Sequence, residues 1–285
     1  MRNEVDLHMH TTASDGTQLP EDNVRMAKAA GLYGIAITDH DTVAGVANAI
    51  LAGEALGIHV IPGVEISTVE NGLDIHILGY YIDRTDSLFL NRLQQLRDGR
   101  ESRNLKIVEK LNALGIAITM DEVIAQAGKG VQPDESIGRP HIAEALLNKG
   151  YVGSIAEAFD RYLGRNGAAH AHSHRVTSFE AVDWIREAGG VAVVAHPGLY
   201  GNDSLVERIV QYGASGIEAY HSDHSPEEEE RYAAMAERLG CLVTAGSDFH
   251  GERGGHEFHA PIGSRRIGAD VLERLQACRT REQQQ

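Results

Sequence analysis

Short apolar runs alternate with amphipathic stretches along most of the chain. Val5–Met9, Gly34–Thr38, His59–Ile66, Asp74–Tyr80, Val191–Ala195, Gly216–Tyr220 and Leu242–Gly246 read as strands. They are nearly continuous in apolar residues, the pattern of a sheet covered on both faces. Between them, Glu21–Ala30, Val43–Leu56, Ser178–Ala188, Leu205–Tyr212, Pro226–Leu239 and Asp270–Cys278 carry helical spacing. Glycine stop signals follow several of these, as in Ala30-Gly31, Leu56-Gly57 and Leu239-Gly240. Regular alternation of strand and helix predicts an α/β fold with a parallel sheet and crossover helices.

The rhythm breaks between about residues 86 and 165, where only helical patterns stand out. Leu88–Leu114 reads as one long helix or a broken pair, and Asp121–Ala127 follows a cap at Thr119. Pro140–Asn148 and Ser154–Leu163 complete the set. The expected organisation is a barrel domain built from 1–85 and 166–285, interrupted by a helical insertion domain at 86–165.

The whole chain has 26 Lys+Arg and 41 Asp+Glu in 285 residues, a net charge of −15. The insertion carries equal numbers of each sign, so the entire excess lies in the barrel segments. Arg92, Arg97, Arg100, Arg103, Lys106 and Lys110 share the long helix. They read either as a solvated face or as help in holding an anionic substrate. An acidic balance argues against a broad grip on duplex DNA or RNA but leaves room for a small or single-stranded anion held locally. No apolar run reaches membrane-spanning length, and the first residues, MRNEVDLHMH, lack the apolar core of a signal peptide. Two cysteines, Cys241 and Cys278, cannot build a disulfide framework, which points to a reducing, cytoplasmic setting. Oligomeric state is not encoded in any of these features.

Fifteen histidines change the picture through their placement. His8 and His10 stand two apart at the end of the first strand, where side chains at i and i+2 share a face. Asp15 follows in a Ser-Asp-Gly turn, and His40 follows the second strand. Glu65 closes the third and His76 lies in the fourth. His196, Asp248 and His250 end later strands. In a parallel barrel the strand C-termini meet at one mouth. Each motif alone is weak, since a single strand histidine is more often packed core. Strand after strand, they are hard to explain as packing, and carboxylates buried at Asp15, Glu65 and Asp248 would be costly without cations. Imidazoles with three carboxylates suit manganese, iron or zinc. Nine donors exceed the needs of one ion, so two or three are expected, with Glu65 as the natural bridge.

This ordered set, His8-x-His10 with Ser14-Asp15-Gly16, Thr38-Asp39-His40, Glu65, His76, His196-Pro197 and Asp248-x-His250, resembles the motifs of the polymerase-and-histidinol-phosphatase (PHP) family. The resemblance covers roughly 1–85 and 166–280. It implies a distorted TIM-like (β/α)7 barrel and two or three divalent metals, most often Mn2+, with Fe2+ or Zn2+ as alternatives. One ion would take His8, His10, Glu65 and Asp248. A second would take Glu65, His76 and His196, and a third Asp15, His40 and His250. Many relatives have His where this chain has Asp15. Gly138-Arg139-Pro140-His141-Ile142-Ala143 and the length of the helical insert resemble the branch containing ribonuclease AM and nucleoside 3′,5′-bisphosphate phosphatases. That branch implies removal of the 3′-phosphate of adenosine 3′,5′-bisphosphate, or trimming of short 5′-phosphorylated RNA from the 5′ end.

The catalytic set expected from this reading is Glu65, Asp248, His196 and His224. His224, just past a strand end, is the candidate for an acid or phosphate contact that is not a metal ligand. Arg139 is the first choice for a 5′-phosphate clamp, because guanidinium binds phosphate bidentately and keeps its charge. Lys129 could reach phosphate from its Gly-Lys-Gly loop. Asp39 should face away and support the ligands. His170, His172 and His174 alternate and suit substrate contact or support, with a separate metal site as the other reading. His256 and His259, near the Gly251–Gly255 loop, have no assigned role. No phosphate loop, serine elbow or dinucleotide fingerprint is present in the sequence. The competing expectations are a histidinol-phosphate phosphatase, an amidohydrolase on fold analogy, and a non-catalytic metal-binding module of the polymerase-associated kind.

Overall fold

The computed structural model describes residues 3–128, 132, 134–172, 175–253, 255–257 and 259–282. Seven main strands form, in chain order, β1 (Glu4–Asp6), β2 (Gly34–Ile37), β3 (His59–Glu70), β4 (Leu73–Tyr80), β5 (Val191–Val194), β6 (Gly216–His221) and β7 (Leu242–Gly246). They lie side by side in that order, and a short late strand, Ile267–Gly268, pairs antiparallel with the start of β1. The ring closes where the chain beyond β1 meets β7. Leu7 N–H donates to Ala245 O, and His10 N–H donates to Phe249 O. The result is the distorted α/β barrel that the motifs imply.

One strand departs from the expected parallel pattern. β4 runs antiparallel to both β3 and β5. Asn71 and Gly72 make the turn between β3 and β4, both at positive φ (50° and 78°), as a tight two-residue hairpin requires. His76 is therefore not at a strand C-terminus. It sits in the first half of a reversed strand, opposite Ser67 in register, and the reversal brings it to the mouth.

Helices α1 (Pro20–Ala29) and α2 (Val46–Leu56) cover the early strands. The chain from β4 to β5 first builds α3 (Ser87–Ala113), α4 (Met120–Ile124), α5 (Arg139–Asn148) and α6 (Ile155–Ala158). α3 is one unbroken helix, started by the Asp86 carboxylate accepting from Phe89 N–H. Thr119 caps α4 in a reciprocal box with Glu122. α6 runs on into a π-helical turn, Phe159–Leu163. These helices bury their own apolar cluster, including Ile107, Leu111, Ile142 and Leu146. Then α7 (Ser178–Glu187), α8 (Asp203–Tyr212), α9 (Pro226–Leu239) and α10 (Asp270–Glu282) complete the outer layer. Trp184 is half-buried against the barrel core. Among the described residues, no helix is long and apolar enough to cross a membrane.

Candidate active site

The barrel mouth gathers all nine expected donors. His8 and His10 lie just past β1, where the backbone still pairs with the neighbouring strands, and their Nε2 atoms are 3.2 Å apart. Glu65 Oε2 is 3.5 Å from His8 Nε2 and 3.3 Å from His10 Nε2. Asp248 Oδ1 is 3.2 Å and 3.0 Å from the same two nitrogens. Four donors each about 2.1 Å from one centre would stand roughly 3.0–3.4 Å apart, so this spacing fits a single divalent ion. The other Glu65 oxygen, Oε1, is 2.8 Å from His76 Nδ1 and 2.9 Å from His196 Nε2. His10, Asp15, His40 and His250 form a further group, and His40 Nδ1 is also 2.9 Å from Glu65 Oε2. Glu65 thus stands at the centre of the whole set.

The empty-handed oxygens test whether these residues fit a cation. Asp15 Oδ1, Glu65 Oε2 and Asp248 Oδ1 are buried and have no well-aligned hydrogen-bond donor, although imidazole nitrogens surround them. Buried carboxylate oxygens without a donor are costly, whereas oxygens ringed by imidazole nitrogens are what divalent ions use. The cluster fits divalent metal ions.

Electrostatics agree. Burial alone would raise the Glu65 carboxyl, but His76, His40 and His8 hold it well below the usual range. Asp248 is likewise held down against burial by His259, His8 and His250. Burial opposes charging His10, yet Asp248 and Glu65 push it up to about 10. His8 is raised in the same way by Glu218, Asp248 and Glu65. Burial brings His40 down to about 4.

Side chains behind the donors set their orientation. His8 Nδ1 is 3.0 Å from Glu218 Oε1, and His250 Nδ1 donates to Asp248 O at 2.7 Å. Asp39 points away from the mouth and accepts from Thr11 N–H, the Thr11 hydroxyl and the Ser14 hydroxyl. His196, Asp248 and Asp41 all hold positive φ, uncommon for residues other than glycine and concentrated here at the mouth.

His224 is placed differently from the expectation. Its Nδ1 donates to Ala219 O, and its Nε2 accepts from Gly198 N–H. Both nitrogens are committed to backbone, which leaves no proton to deliver, and the ring supports the turn that carries His196. Lys129 and His174 lie outside the described residues. Past His250, Glu252–Arg253 pairs with His256–Glu257, and Arg253 donates to Asp15 O.

The sequence reading missed several groups. Glu218, a lone acid in the apolar strand β6, was a readable signal. His221 lies against Asp248 at 3.3 Å. Its Nδ1 accepts from Asp223 N–H, so its proton sits on Nε2 and it orients the carboxylate. His259 lines the cleft with Nδ1 2.7 Å from Asp223 Oδ2. Arg175 is the largest addition, and Arg100 and Arg103, which the sequence offered as help in holding an anion, join it. With Arg139 they line the metal cleft, a cavity of about 180 Å³. Arg103, Arg139, Arg175, Phe159 and Leu199 also line a second cavity of about 470 Å³ that contains His170 and His172. Arg100 pairs with Asp41 and donates to the Ser67 hydroxyl. Arg139 and Arg175 both reach Asp74. Arg103 is 2% exposed, and its hydrogen bonds go to the neutral Asn104 amide. Burial and the neighbouring Arg100, Arg139 and Arg175 hold its guanidinium well below the usual range.

A β/α barrel with such a donor ring beside a bank of guanidiniums is the apparatus of a metal-dependent phosphoesterase. The model of the PHP domain matches residues 6–190, and the chain belongs to the PHP family of phosphoester hydrolases. It is 34% identical over 282 residues to the 3′,5′-nucleoside bisphosphate phosphatase of Chromobacterium violaceum, covering 95% of this chain and 97% of that protein. It is 36% identical over 254 residues to the 5′-3′ exoribonuclease Rnm of Escherichia coli K12, covering 86% and 84%. A solved structure from Bifidobacterium adolescentis, provisionally assigned as a metal-dependent phosphoesterase, superposes with a TM-score of 0.87 at 31% identity and 96% coverage of both chains.

Proposed function

We propose that this enzyme removes the 3′-phosphate of 3′,5′-bisphosphonucleotides, adenosine 3′,5′-bisphosphate among them, and trims short 5′-phosphorylated RNA from its 5′ end. One observation carries the reading: the metal cleft and the larger cavity share a wall made of Arg103, Arg139 and Arg175. A substrate with one phosphate at the metals and another two or three bonds beyond a sugar needs such a second anion seat. A histidinol phosphate, with a single phosphate and a cationic amine, would meet guanidiniums there instead. The names of the bisphosphate phosphatase and exoribonuclease relatives support the same choice.

In this reading two or three divalent ions, Mn2+ first and Fe2+ or Zn2+ as alternatives, are held by His8, His10, Asp15, His40, Glu65, His76, His196, Asp248 and His250. Bound ions supply an activated water and positive charge against the phosphoryl oxygens. Glu65 and Asp248 fix the donor geometry, and His196 completes the set beside His76. Arg139 and its neighbours seat the 5′-phosphate bidentately. Phe159, Leu199, Tyr200, His170 and His172 offer the flat and apolar surfaces a nucleoside needs. His224 acts through His196 as a positioning residue. Lys129 is the remaining candidate for a phosphate contact. The domain organisation that goes with this reading is a barrel from 1–85 and 166–285 lending its mouth to a helical insertion, 86–165, that supplies Arg100, Arg103 and Arg139. Its use of only two cysteines suits work in the cytoplasm.

The test uses the full chain stripped with chelator and reloaded with Mn2+. Phosphate release from adenosine 3′,5′-bisphosphate should exceed that from histidinol phosphate by orders of magnitude, and short 5′-phosphorylated RNA should yield mononucleotides. Equal turnover of both small substrates, or full activity in a Glu65→Ala, Asp248→Ala double variant, overturns the proposal.

A further inference from the structure

The guanidinium bank contains four cations, Arg100, Arg103, Arg139 and Arg175, and two carboxylates of different standing. Asp41 is sealed in, 1% exposed, pinned by Arg100 and by Ser67 N–H at 2.8 Å. Asp74 is on the second residue of β4, beside the Asn71-Gly72 turn, and its side chain is 49% exposed. Its two oxygens are divided between two arginines: Oδ1 lies 2.8 Å from Arg175 Nη1, and Oδ2 lies 3.1 Å from Arg139 Nη2. In the larger cavity a single anion spans two guanidiniums that also line the metal cleft, which is how a phosphate would be held there.

We infer that Asp74 is a resident competitor for the second anion seat and that it sets the charge a substrate must bring. This rests on the function proposed above. A terminal phosphate carries about −1.5 to −2 charge at neutral pH and three acceptor oxygens. Exchanging the Asp74 carboxylate for it gains both charge and hydrogen bonds. An internal phosphodiester carries one charge and two free oxygens, so the same exchange gains nothing. The displaced carboxylate is already half in water and rehydrates cheaply, which Asp41 could not do. Asp74 therefore sets a threshold that a phosphate at a chain end passes and one within a chain does not.

The experiment compares wild type, Asp74→Asn and Asp74→Ala as Mn2+-loaded full chains. Three substrates are used: adenosine 3′,5′-bisphosphate, the same compound with a methyl ester on its 5′-phosphate, and adenosine 3′-monophosphate. Wild type should prefer the bisphosphate to the methyl ester through KM. Both variants should lower KM for the methyl ester roughly fivefold, the scale of two part-exposed ion pairs, with kcat nearly constant. KM for the bisphosphate should fall by a similar factor, because every 5′-anion must displace the same carboxylate, and adenosine 3′-monophosphate should be unaffected. Calorimetry with adenosine 5′-monophosphate should show tighter binding in both variants. A methyl-ester KM that stays the same or rises in both variants overturns the inference and makes Asp74 a scaffold for the arginines. Should wild type turn over adenosine 3′-monophosphate as efficiently as the bisphosphate, the anion seat itself fails and the inference falls with it.

Discussion

His8 Nδ1 lies 3.0 Å from Glu218 Oε1, and both side chains are sealed from solvent. Once an ion replaces the proton on Nε2, the one held between His8 and Glu218 leaves the His8 Nε2 lone pair turned toward Glu65 and Asp248. Burial would raise Glu218, but His8, His221 and His196 keep it below the usual range, so it acts as a carboxylate. Such partners behind a ligating histidine are worth about 10- to 100-fold in metal affinity. Glu218→Gln should lower Mn2+ affinity by that factor while leaving the fold intact, as read by competition with a coloured chelator. Wild-type affinity in the variant would show that Glu218 serves packing alone.

Gly246 makes this contact possible. A Cβ there would stand 2.1 Å from His8 Cβ and 2.5 Å from Glu218 Oε1. Neither neighbour can yield, since one is on the closing strand and the other on β6. Gly246→Ala should cost about 1–3 kcal/mol through overpacking. It should also abolish the rise in melting temperature expected for the wild type when Mn2+ binds the native state. An equal Mn2+-dependent rise in the variant would contradict this account of the mouth.

Metal loading should expel protons. Glu65, Asp248 and Glu218 keep His8 and His10 protonated above neutrality when no ion is present, His10 up to about 10. A divalent ion takes the place of those protons. Proton release and an apparent affinity that rises with pH between 6 and 9 follow from the sign of the shift. Calorimetric titration of Mn2+ in two buffers of different ionisation enthalpy measures the protons directly. Identical heats in both buffers would mean that the imidazoles are neutral beforehand.

Strands β5, β6 and β7 were legible because buried strands must be apolar, and the donors were legible because histidine and carboxylate are chemically rare at strand ends. The reversal of β4 was also written in the chain, as Asn71-Gly72 between two apolar runs, but the prevailing strand–helix alternation masks a hairpin. The arginine bank was harder to read. Arg100, Arg103, Ile107 and Leu111 recur at helical spacing on one buried face of α3. Charges in core positions look like solvated ones until the partner surface is known. Arg175 and Asp74 meet across a hundred residues of chain, which no local pattern reports.

His141 should make the fold acid-sensitive. Burial, with Arg253 nearby, brings it down from 6.5 to about 4, and its Nδ1 accepts from Gly138 N–H at the start of α5. Its value is lower folded than unfolded, so the unfolded chain binds the extra proton first. The contribution is therefore complete above pH 6.5 and lost as pH falls toward 4, about 3 kcal/mol in all. Denaturant titrations of metal-free protein at pH 7 and pH 4.5 measure this loss. His141→Asn, whose amide oxygen can still accept from Gly138, should flatten the profile by that amount. Parallel profiles would place the acid sensitivity elsewhere.

Arg103 separates binding from stability most sharply. It is buried against three other guanidiniums, and its own hydrogen bonds go to Asn104. A buried cation without a carboxylate of its own is a standing cost, and replacing buried charge with an apolar side chain of similar size is often stabilising by 1–4 kcal/mol. Arg103→Met should accordingly raise the denaturation midpoint by a shift on the order of 1 kcal/mol, in metal-free and metal-loaded protein alike. The same change removes one of the charges that would meet the second phosphate. KM for adenosine 3′,5′-bisphosphate should rise roughly 10-fold, the scale of one charge-assisted hydrogen bond, with kcat little altered because the residues proposed to hold the metals are untouched. A positive charge retained against its folding cost points to use. Arg103→Met that is less stable than wild type, with an unchanged KM, would show instead that the guanidinium is a structural strut between α3 and the barrel mouth.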